Sequence, residues 1–308
     1  MSLYELFKSK GPSGFGYGST AEQVTEGLSL AGKTFLVTGC NSGLGLEALR
    51  VLTLRGGKVI GTARNREKAK AACDSVKGDT VPLACELADP QSVRACVEEV
   101  KKLGLKLDAL IANAGIMALP KLEKAFGYEL QFFTNHIGHF ILVTGLLEQL
   151  TDTGRVVMLS SEAHRNAPKE TIQFDNLDGS KGYGEWTNYG QSKIANLLFA
   201  KELARRFAGT GKTANAVHPG VIKTNLGRHM NPVLGFFFGL FGPLALKNVA
   251  QGTATEVFVA THPSVATVSG QYFADCNVAQ PRRDAENAET AKKLWEVSEK
   301  IVSEVPRS

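Results

Sequence analysis

The stretch TFLVTGCNSGLGLEALRVLTLRGGKVIGTA, residues 34–63, predicts a strand, a glycine-rich turn, a helix and a second strand. Both predicted strands are continuous apolar runs, which is typical of strands buried on both faces of a parallel sheet. Five more β-rich runs follow, most of them separated by longer helical patterns. We therefore predict one α/β domain, a doubly wound parallel sheet of about seven strands flanked by helices, with ligands at the carboxyl ends of the strands. The five later runs occupy residues 80–85, 107–115, 155–161, 213–220 and 270–275.

Composition favours one domain rather than two. The chain has 308 residues, 43% of them hydrophobic, which is enough for one large core. No stretch rich in Pro, Gly and Ser separates two hydrophobic blocks. We assign residues 31–308 to the domain and residues 1–30 to an N-terminal extension, whose glycines favour a loosely held arm.

Charge and cysteine content argue against several classes of protein. The net charge is +5, and basic residues alternate with acidic ones along the predicted helices. This pattern is typical of solvated helix faces, so we expect no nucleic-acid partner. Five cysteines without CxxC spacing indicate reduced, packed thiols and a cytoplasmic protein. The N-terminus lacks the continuous apolar segment of a signal peptide, so we expect no export.

The longest uncharged run covers residues 230–246 and is interrupted by Gly and Pro. Its 17 residues are too few and too broken to predict a membrane span. The run contains a cluster of aromatic side chains that could pack in the core, contact a membrane surface or cover an apolar ligand. These side chains are Phe236, Phe237, Phe238 and Phe241.

The turn after the first strand, TGCNSGLG, predicts a phosphate-binding loop. Gly39, Gly43 and Gly45 remove side chains where backbone amides could approach a pyrophosphate at a helix N-terminus. The spacing differs from the general GxGxxG fingerprint, and glycine-rich turns also serve tight packing. The position at the first strand-to-helix turn favours cofactor binding.

The end of the second strand indicates which cofactor. An NAD enzyme usually places a carboxylate there for the ribose hydroxyls, but this chain has Ala63 followed by Arg64, with Arg66 close behind. A guanidinium binds a phosphate through two parallel hydrogen bonds. We therefore predict NADP(H), the alternative being that both arginines only solvate the start of a helix.

Polar residues follow the fourth and fifth strands and interrupt a predicted helix. Asn113 follows the fourth strand in a small-residue turn, where it can tie neighbouring strands together. Asn135 lies within a long predicted helix, a poor position for Asn on propensity, which suggests a hydrogen-bonding task. Ser160 and Ser161 end the fifth strand. A serine at a strand end is more often a turn former than a catalytic group.

The run NYGQSKIAN, residues 188–196, places Tyr189 and Lys193 one helical turn apart, so both side chains can reach one small volume. A free tyrosine titrates near pH 10, and a neighbouring ammonium stabilises the phenolate. The spacing therefore predicts a lowered pKa for Tyr189, although two surface side chains would stack in the same way, and the choice depends on what else the chain brings to that volume.

These motifs together resemble the short-chain dehydrogenase/reductase family, over roughly residues 30–280. The motifs are TGCNSGLG, NAG, NHIGHF, LSS, YGQSK and HPGVIKT, in this order. The likeness is closer to the retinol-dehydrogenase-like branch, which includes the oxidoreductase with WW domains and a chloroplast import-associated member. The segments TAEQV, RNREKA, SSEAH, YGQSKIANLLFAKELARR, HPGVIKTNL and GQYFADC carry this closer likeness.

The resemblance implies a Rossmann-type fold and assigns the site residue by residue. It implies a catalytic tetrad in which the second serine of LSS is preferred to the first. Tyr189 and Lys193 also belong to the implied cofactor site, where Lys193 holds the nicotinamide ribose and Asn135 anchors a water that relays protons. The implied tetrad is Asn135, Ser161, Tyr189 and Lys193. The other implied cofactor contacts are Gly39, Asn41, Ser42, Gly43, Leu44, Gly45, Arg64, Asn65, Glu86, Leu87, Asn113, Ala114, Gly115, Pro219, Gly220, Val221, Ile222 and Thr224.

The sequence departs from the family pattern at three places. Glu86 stands where the family usually has an Asp that contacts adenine, and Ala112 replaces the first of two usual asparagines. The step from Ser161 to Tyr189 is long, a feature that the retinol-dehydrogenase-like branch shares. The first two departures concern the adenine pocket and leave the predicted reaction unchanged.

Two further features have competing interpretations. His136 and His139 form an HxxH pair that could begin a metal site, but no third ligand is suggested nearby, so packed histidines and no metal are predicted. The Phe-rich run matches the family's substrate-covering segment, and we predict a lid over about residues 225–250 for a hydrophobic substrate. Peripheral membrane contact through the same run stays open.

The predicted function is NADP(H)-dependent interconversion of a hydrophobic aldehyde or ketone and its alcohol. One alternative is an NADPH-sensing interaction protein of the same fold that needs no turnover. The intact tetrad argues against this alternative. A second alternative is a reductase of an activated carbon–carbon double bond. The family resemblance allows either a monomer or a homodimer.

Overall fold

The computed structural model describes residues 8–222 and 246–306, and within these ranges eight strands form one sheet in the order β3-β2-β1-β4-β7-β8-β9-β10. Seven strands are parallel, and only the short edge strand β10 runs antiparallel to β9. The predicted doubly wound sheet is confirmed. The strands of this sheet are β1 (Thr34–Thr38), β2 (Lys58–Ala63), β3 (Thr80–Ala84), β4 (Leu107–Ala112), β7 (Leu150–Leu159), β8 (Thr213–His218), β9 (Tyr272–Ala274) and β10 (Asn277–Val278).

Helices cover both faces of the sheet, which explains why the central strands are apolar on both sides. One hydrophobic core lies between the sheet and α4, α6, α7 and α9, and a second lies between the sheet and α1, α2, α3 and α8. A two-stranded hairpin, β5 (Lys124–Ala125) and β6 (Tyr128–Glu129), stands apart from the sheet. The helices are α1 (Ala21–Val24), α2 (Gly43–Leu54), α3 (Arg66–Asp74), α4 (Pro90–Lys102), α5 (Leu130–Phe132), α6 (Gly138–Gly145), α7 (Glu185–Arg206), α8 (Val249–Thr261) and α9 (Ala288–Glu304).

The direction in which successive strands are added to the sheet reverses at β1. Strand β1 pairs with β2 on one side and with β4 on the other, because the chain crosses over β1 and β2 after forming β3. The loops that follow β1 and β4 therefore diverge at the carboxyl edge of the sheet and leave a crevice between them. Ligands of doubly wound folds bind at such a switch point.

The long helix predicted around Asn135 is not continuous. It begins only at Leu130, and residues Phe133–Ile137 form a π-helical turn before α6 continues. The wider turn moves Asn135 out of ordinary α-helical register. Such turns occur frequently at functional sites.

The N-terminal segment packs on the domain more firmly than its glycines predicted. The Phe15 ring meets Phe258 of α8 edge-on, with ring centroids 5.7 Å apart. Asn277 donates to the Phe15 carbonyl at 3.1 Å, and Ala21 and Val24 of α1 are buried in the second core. The prediction of a loosely held arm is therefore wrong for residues 11–24, because apolar side chains among the glycines anchor it.

All five cysteines are buried and unpaired by disulfides, as packed thiols would be. None of the helices in the two described ranges combines the length and the apolar character that a bilayer-spanning helix requires.

Candidate active site

The glycine turn after β1 forms one wall of a crevice at the edge of the sheet. A Cβ at Gly45 would lie 2.4 Å from the Gly39 carbonyl oxygen, so only glycine lets α2 begin this close to the turn. Gly43 has a φ of 57° and open space where a Cβ would be. Gly45 therefore serves packing, while Gly43 leaves the backbone exposed to the crevice.

The first turn of α2 is open to an anion. The Ser42 side chain makes no capping hydrogen bond, and the first turn carries no acidic residue. In contrast, side chains cap the N-termini of the next two helices: Asn65 caps α3 and Asp89 caps α4. Unpaired amides at a helix N-terminus and its dipole both favour negative charge.

A cavity of about 370 Å³ lies in this crevice. Eleven predicted cofactor contacts line it, and these are Gly39, Asn41, Ser42, Gly43, Leu44, Arg64, Glu86, Leu87, Asn113, Ala114 and Gly115. Ala63, which stands where NAD enzymes usually have a carboxylate, also lines the cavity. The other five lining residues carry no cofactor motif, and they are Cys85, Ile116, Thr134, Leu159 and Val249.

The predicted strand-tying role of Asn113 is confirmed. Its Nδ2 donates to the Thr38 carbonyl at 2.8 Å, and the Ala114 amide donates to Thr38 Oγ1 at 2.9 Å. These two bonds join the carboxyl ends of β1 and β4. They fix the distance between the two loops that flank the cavity.

Two arginines follow β2 and differ in their partners. Arg66 lies 3.3 Å from Glu99 in an ion pair. Arg64 lines the cavity, and no carboxylate among residues 8–222 and 246–306 pairs with it. Arg64 is therefore the arginine whose guanidinium is available to an anion in the cavity.

Helix α7 brings Tyr189 beside Ser161 because Gly190 allows close approach. A Cβ at Gly190 would lie 2.6 Å from the Ala163 carbonyl oxygen, in the short 3₁₀ segment that follows Ser161. Tyr189 is buried, and its phenol lies near enough to the Ser161 side chain for Ser161 to lower its pKa. The preference for Ser161 over its neighbour has a structural counterpart, since Ser160 Oγ donates to the Lys193 carbonyl at 2.8 Å and points into the fold.

Lys193 is buried next to Tyr189. Its Nζ lies 5.7 Å from the centre of the Tyr189 ring and donates to the Leu159 carbonyl at 3.0 Å. A Cβ at Gly115 would lie 2.9 Å from Asn135 Oδ1 and 3.5 Å from Lys193 Nζ. The missing side chain at Gly115 therefore leaves room for Asn135 and Lys193 to lie close to the chain just after β4.

The Asn135 side chain is bonded on three sides. Its Oδ1 accepts from the Ile116 amide at 2.8 Å, while its Nδ2 donates to the Ile116 carbonyl at 2.9 Å and to Ser192 Oγ at 2.9 Å. The predicted hydrogen-bonding task is confirmed. In this structure the task is to join the π-helical turn, the loop after β4 and α7.

The lowered pKa predicted for Tyr189 is wrong for this structure. Burial raises the pKa of Tyr189 to about 12, and the neighbouring Ser161 side chain lowers it by less. Burial also lowers the pKa of Lys193 to about 8. Desolvation thus outweighs any attraction between ammonium and phenolate, because both groups leave water together.

The HxxH histidines are packed, as predicted. His136 Nε2 lies 2.8 Å from Ser298 Oγ, and His139 Nε2 lies 2.9 Å from Thr38 Oγ1. Both rings are fully buried, and burial lowers the pKa of His136 to about 3 and that of His139 to about 4.

The remaining predicted contacts lie beside β8 or outside the described ranges. Residues 219–222 follow β8 directly, and Gly220 has a φ of 94°. Asn65 uses its side chain to cap α3, with Oδ1 accepting from the Lys68 amide at 2.9 Å. Thr224, the Phe cluster and residues 225–245 of the predicted lid are not among the described residues.

Comparison with known proteins agrees with this arrangement. The sequence model of the short chain dehydrogenases matches residues 33–233. The chain belongs to the short-chain dehydrogenase family. It is therefore related to oxidoreductases that use nicotinamide cofactors.

Three similar proteins place it within this family. The chain is 40% identical to short-chain dehydrogenase TIC 32 A, chloroplastic, of Brassica napus, over 99% of the chain and all of the relative. It is 37% identical to human retinol dehydrogenase 14, over 88% of the chain and 86% of the relative. A crystal structure of an uncharacterised Mycobacterium paratuberculosis protein matches with a TM-score of 0.74 and 33% identity, over 93% of the chain and 98% of that protein. These relatives support the retinol-dehydrogenase-like branch.

Lys247 falls within the predicted lid range, although no role was predicted for it. Its side chain runs beneath the turn after β8, where a Cβ at Gly220 would lie 2.6 Å from Lys247 Cδ. Lys247 Nζ lies 2.6 Å from Asp275 Oδ1 and 4.9 Å from the Tyr17 ring centre. Nothing in the surrounding sequence distinguishes this lysine from a surface one.

Proposed function

We propose that this short-chain dehydrogenase relative interconverts a hydrophobic aldehyde or ketone and its alcohol with NADP(H). The observation that carries the proposal is the buried pair of Tyr189 and Lys193 beside Ser161, next to a cavity whose open helix N-terminus suits a pyrophosphate. The bound nicotinamide supplies or accepts the hydride.

The residues of the cavity fit the phosphorylated cofactor. Gly43 and the uncapped start of α2 offer backbone amides to the pyrophosphate. Arg64 would bind the 2′-phosphate, because its guanidinium has no carboxylate partner in the described part of the chain and Ala63 leaves no carboxylate to repel a phosphate. Asn113 joins the carboxyl ends of β1 and β4 and thereby fixes the width of the cavity between the loops that follow them.

Tyr189 would act as the proton donor in reduction. With a pKa of about 12, its phenol keeps its proton at neutral pH, which is the form needed to protonate a developing alkoxide. The Ser161 hydroxyl, which lies near the same phenol, would donate a second hydrogen bond to that oxygen. Lys193 would contribute its positive charge and orient the cofactor ribose, while Asn135 holds the backbone beside it.

The likeness to retinol dehydrogenase 14 and the Phe-rich run both support an apolar substrate. Replacing Phe237 and Phe238 together with Ser should raise KM for bulky apolar carbonyls and leave KM for small ones unchanged. An equal rise for both classes would show that these side chains do not select the substrate. Cytoplasmic location and membrane contact stay predictions.

The deciding experiment is NADPH oxidation, followed by absorbance, against a panel of apolar aldehydes and ketones. Wild type should turn over with a preference for NADPH over NADH, and Tyr189→Phe should bind NADPH without turnover. NADPH binding without turnover by the wild type across the panel would favour the cofactor-sensing alternative. Turnover only of activated alkenes would favour the carbon–carbon double-bond alternative.

The two arginines after β2 provide a matched test of cofactor choice. Arg64→Ala should raise KM for NADPH about tenfold or more and leave KM for NADH unchanged, because a charge-assisted phosphate contact contributes about 1.5–3 kcal/mol. Arg66→Ala should change neither, since Arg66 pairs with Glu99. Similar effects of both substitutions would contradict the assignment of Arg64.

We also propose that the protein is a monomer. Helix α9 packs along α7 and covers one side of it with Leu294 and Trp295, which are both buried, and the Trp295 ring stacks on Phe199 at 5.4 Å. The outward side of α7 is therefore occupied by the chain itself. Gel filtration at the mass of one chain would agree with this, and a dimer peak that persists on dilution would contradict it.

A further inference from the structure

His139 lies one helical turn beyond Asn135 and makes two hydrogen bonds, both to elements of the candidate site. Its Nδ1 lies 2.9 Å from the Asn135 carbonyl oxygen, and its Nε2 lies 2.9 Å from Thr38 Oγ1. The ring is fully buried, so neither bond competes with water. His139 is not one of the proposed catalytic residues, and it does not line the cavity.

The partners of the ring fix its tautomer. A backbone carbonyl only accepts hydrogen bonds, so Nδ1 must carry a proton and donate to Asn135. Thr38 Oγ1 already accepts from the Ala114 amide, which leaves its own proton free to point at Nε2. Both bonds are therefore satisfied by a neutral imidazole with its proton on Nδ1. The nearby Lys193 ammonium also disfavours an imidazolium, and burial lowers the pKa of His139 to about 4.

Thr38 extends the connection to both walls of the cavity. It is the last residue of β1, directly before the glycine turn, and its carbonyl accepts from Asn113 Nδ2 at 2.8 Å. The ring of His139 thus joins the start of the glycine turn to the π-helical turn that carries Asn135. The Thr38 hydroxyl and the His139 imidazole thus connect three chain segments: the end of β1, the loop after β4 and the π-helical turn before α6.

We propose that His139 is a positioning residue that holds the glycine turn and the Asn135 turn in register, so that the cofactor loop and the catalytic group stay at a fixed separation. The inference rests on the proposed function. Nothing else in the described part of the chain bonds Thr38 Oγ1 to the helix that carries Asn135. An apolar ring of the same size would fill the volume and leave this connection broken.

His136 provides a matched control on the same helix. It is equally buried, and its Nε2 lies 2.8 Å from Ser298 Oγ of α9, away from the cavity. A structural role common to both histidines would make their substitutions equivalent. A positioning role at His139 would separate them in cofactor binding and turnover, even where the losses of stability are alike.

The experiment compares full-length His139→Leu, His139→Gln and His136→Leu in NADPH affinity by calorimetry, in kcat, and in thermal unfolding. His139→Leu should weaken NADPH binding and lower kcat by about tenfold or more each, because small misplacements of positioning groups have effects of this size. His139→Gln, which can both donate and accept, should recover part of the loss. His136→Leu should lower the melting temperature and leave affinity and kcat within about twofold of wild type.

Equal affinity and kcat in His139→Leu and His136→Leu would overturn the proposal. Nitrogen-15 NMR of the wild-type histidines gives an independent readout that survives any folding failure of the leucine variant. A proton on Nε2 or a doubly protonated ring at pH 7 would also overturn it. A wild type that binds NADPH without turnover would refute the proposed reaction, while the affinity comparison would still test His139.

Discussion

Two lysines at the carboxyl edge of the sheet are almost wholly buried, and they differ in their partners. Lys247 packs under the turn after β8 and is 1% exposed. Its Nζ lies 2.6 Å from Asp275 Oδ1. Lys193, on α7, is 3% exposed and donates to the Leu159 carbonyl, and no carboxylate in residues 8–222 or 246–306 pairs with it. Within the described residues, Lys247 therefore has a carboxylate as its counter-ion, whereas Lys193 has only a carbonyl as its hydrogen-bond partner.

The difference is the one expected between a charge that supports the fold and a charge that the proposed reaction would use. A buried charge without a counter-ion is unfavourable, and the fold shows this cost in the lowered pKa of Lys193. Retaining such a group is consistent with chemistry that uses its charge. Lys247 carries a partner and packs under Gly220, which is consistent with support of the turn after β8.

The largest expected effect comes from removing the unpaired charge. Lys193→Met should lower kcat about a thousandfold, since the proposed reaction loses the ammonium beside Tyr189 and the group that orients the cofactor. The melting temperature should stay the same or rise, because no buried carboxylate loses its partner. Steady-state kinetics and calorimetric unfolding would check both expectations. A large loss of stability with normal kcat would reverse the roles assigned to the two lysines.

At the other lysine, stability should respond more than activity. Asp275→Asn should destabilise the protein by about 4 kcal/mol, because it leaves the buried Lys247 ammonium without a counter-ion. Lys247→Met should cost less, since the Asp275 side chain is 38% exposed and can be solvated alone. Urea unfolding of the two variants gives the comparison. Equal losses would show that packing around Lys247, rather than its charge, supports the turn.

Glu256 extends the comparison to a buried acid. Burial raises the pKa of Glu256 to about 8, and neither carboxyl oxygen has a hydrogen-bond partner in the described structure. Between pH 4.5 and 8 the folded state binds more protons than the unfolded state, so this group lowers stability as pH rises through that window. Glu256→Gln should therefore stabilise the protein by about 3 kcal/mol at pH 7.

The gain in Glu256→Gln should vanish near pH 4, where the carboxyl is protonated in both states. Unfolding free energies of both proteins at pH 4, 7 and 8.5 would show this. A gain that is independent of pH would mean that the carboxyl is not the cause.

The smallest effect concerns pH dependence. If the Lys193 ammonium is the required form, its pKa of about 8 should give kcat/KM for NADPH a falling limb above pH 8, up to about tenfold per pH unit. Lys247→Arg should keep that limb in place. A kcat/KM that stays flat well above pH 8 would contradict the requirement for the Lys193 ammonium.

Much of the fold and several site contacts were predictable because their signals are local. Every predicted strand in the sheet is an apolar run that occupies the expected place, and Gly43 marks the backbone that faces the cavity. Asn113 ties β1 to β4, as a polar residue after a buried strand suggested.

The rest depends on contacts between distant segments. Lys247 and Asp275 are 28 residues apart, and neither neighbourhood signals an ion pair. The π-helical turn at Asn135 follows from bonds to Ile116 and Ser192 that no helical period reveals. The pKa of Tyr189 was predicted in the wrong direction because sequence spacing gives proximity to Lys193 but not the extent of burial.

The pairing of Ile222 with Lys247 has a consequence for loop length. This bridge places Ile222 and Lys247 side by side, and the Lys247–Asp275 ion pair fixes the position of Lys247. Closing a longer loop between ends already fixed adds only about 0.6 kcal/mol per doubling of length. A change in the number of residues between positions 222 and 247 should therefore cost little stability, provided that the bridge and the ion pair are kept.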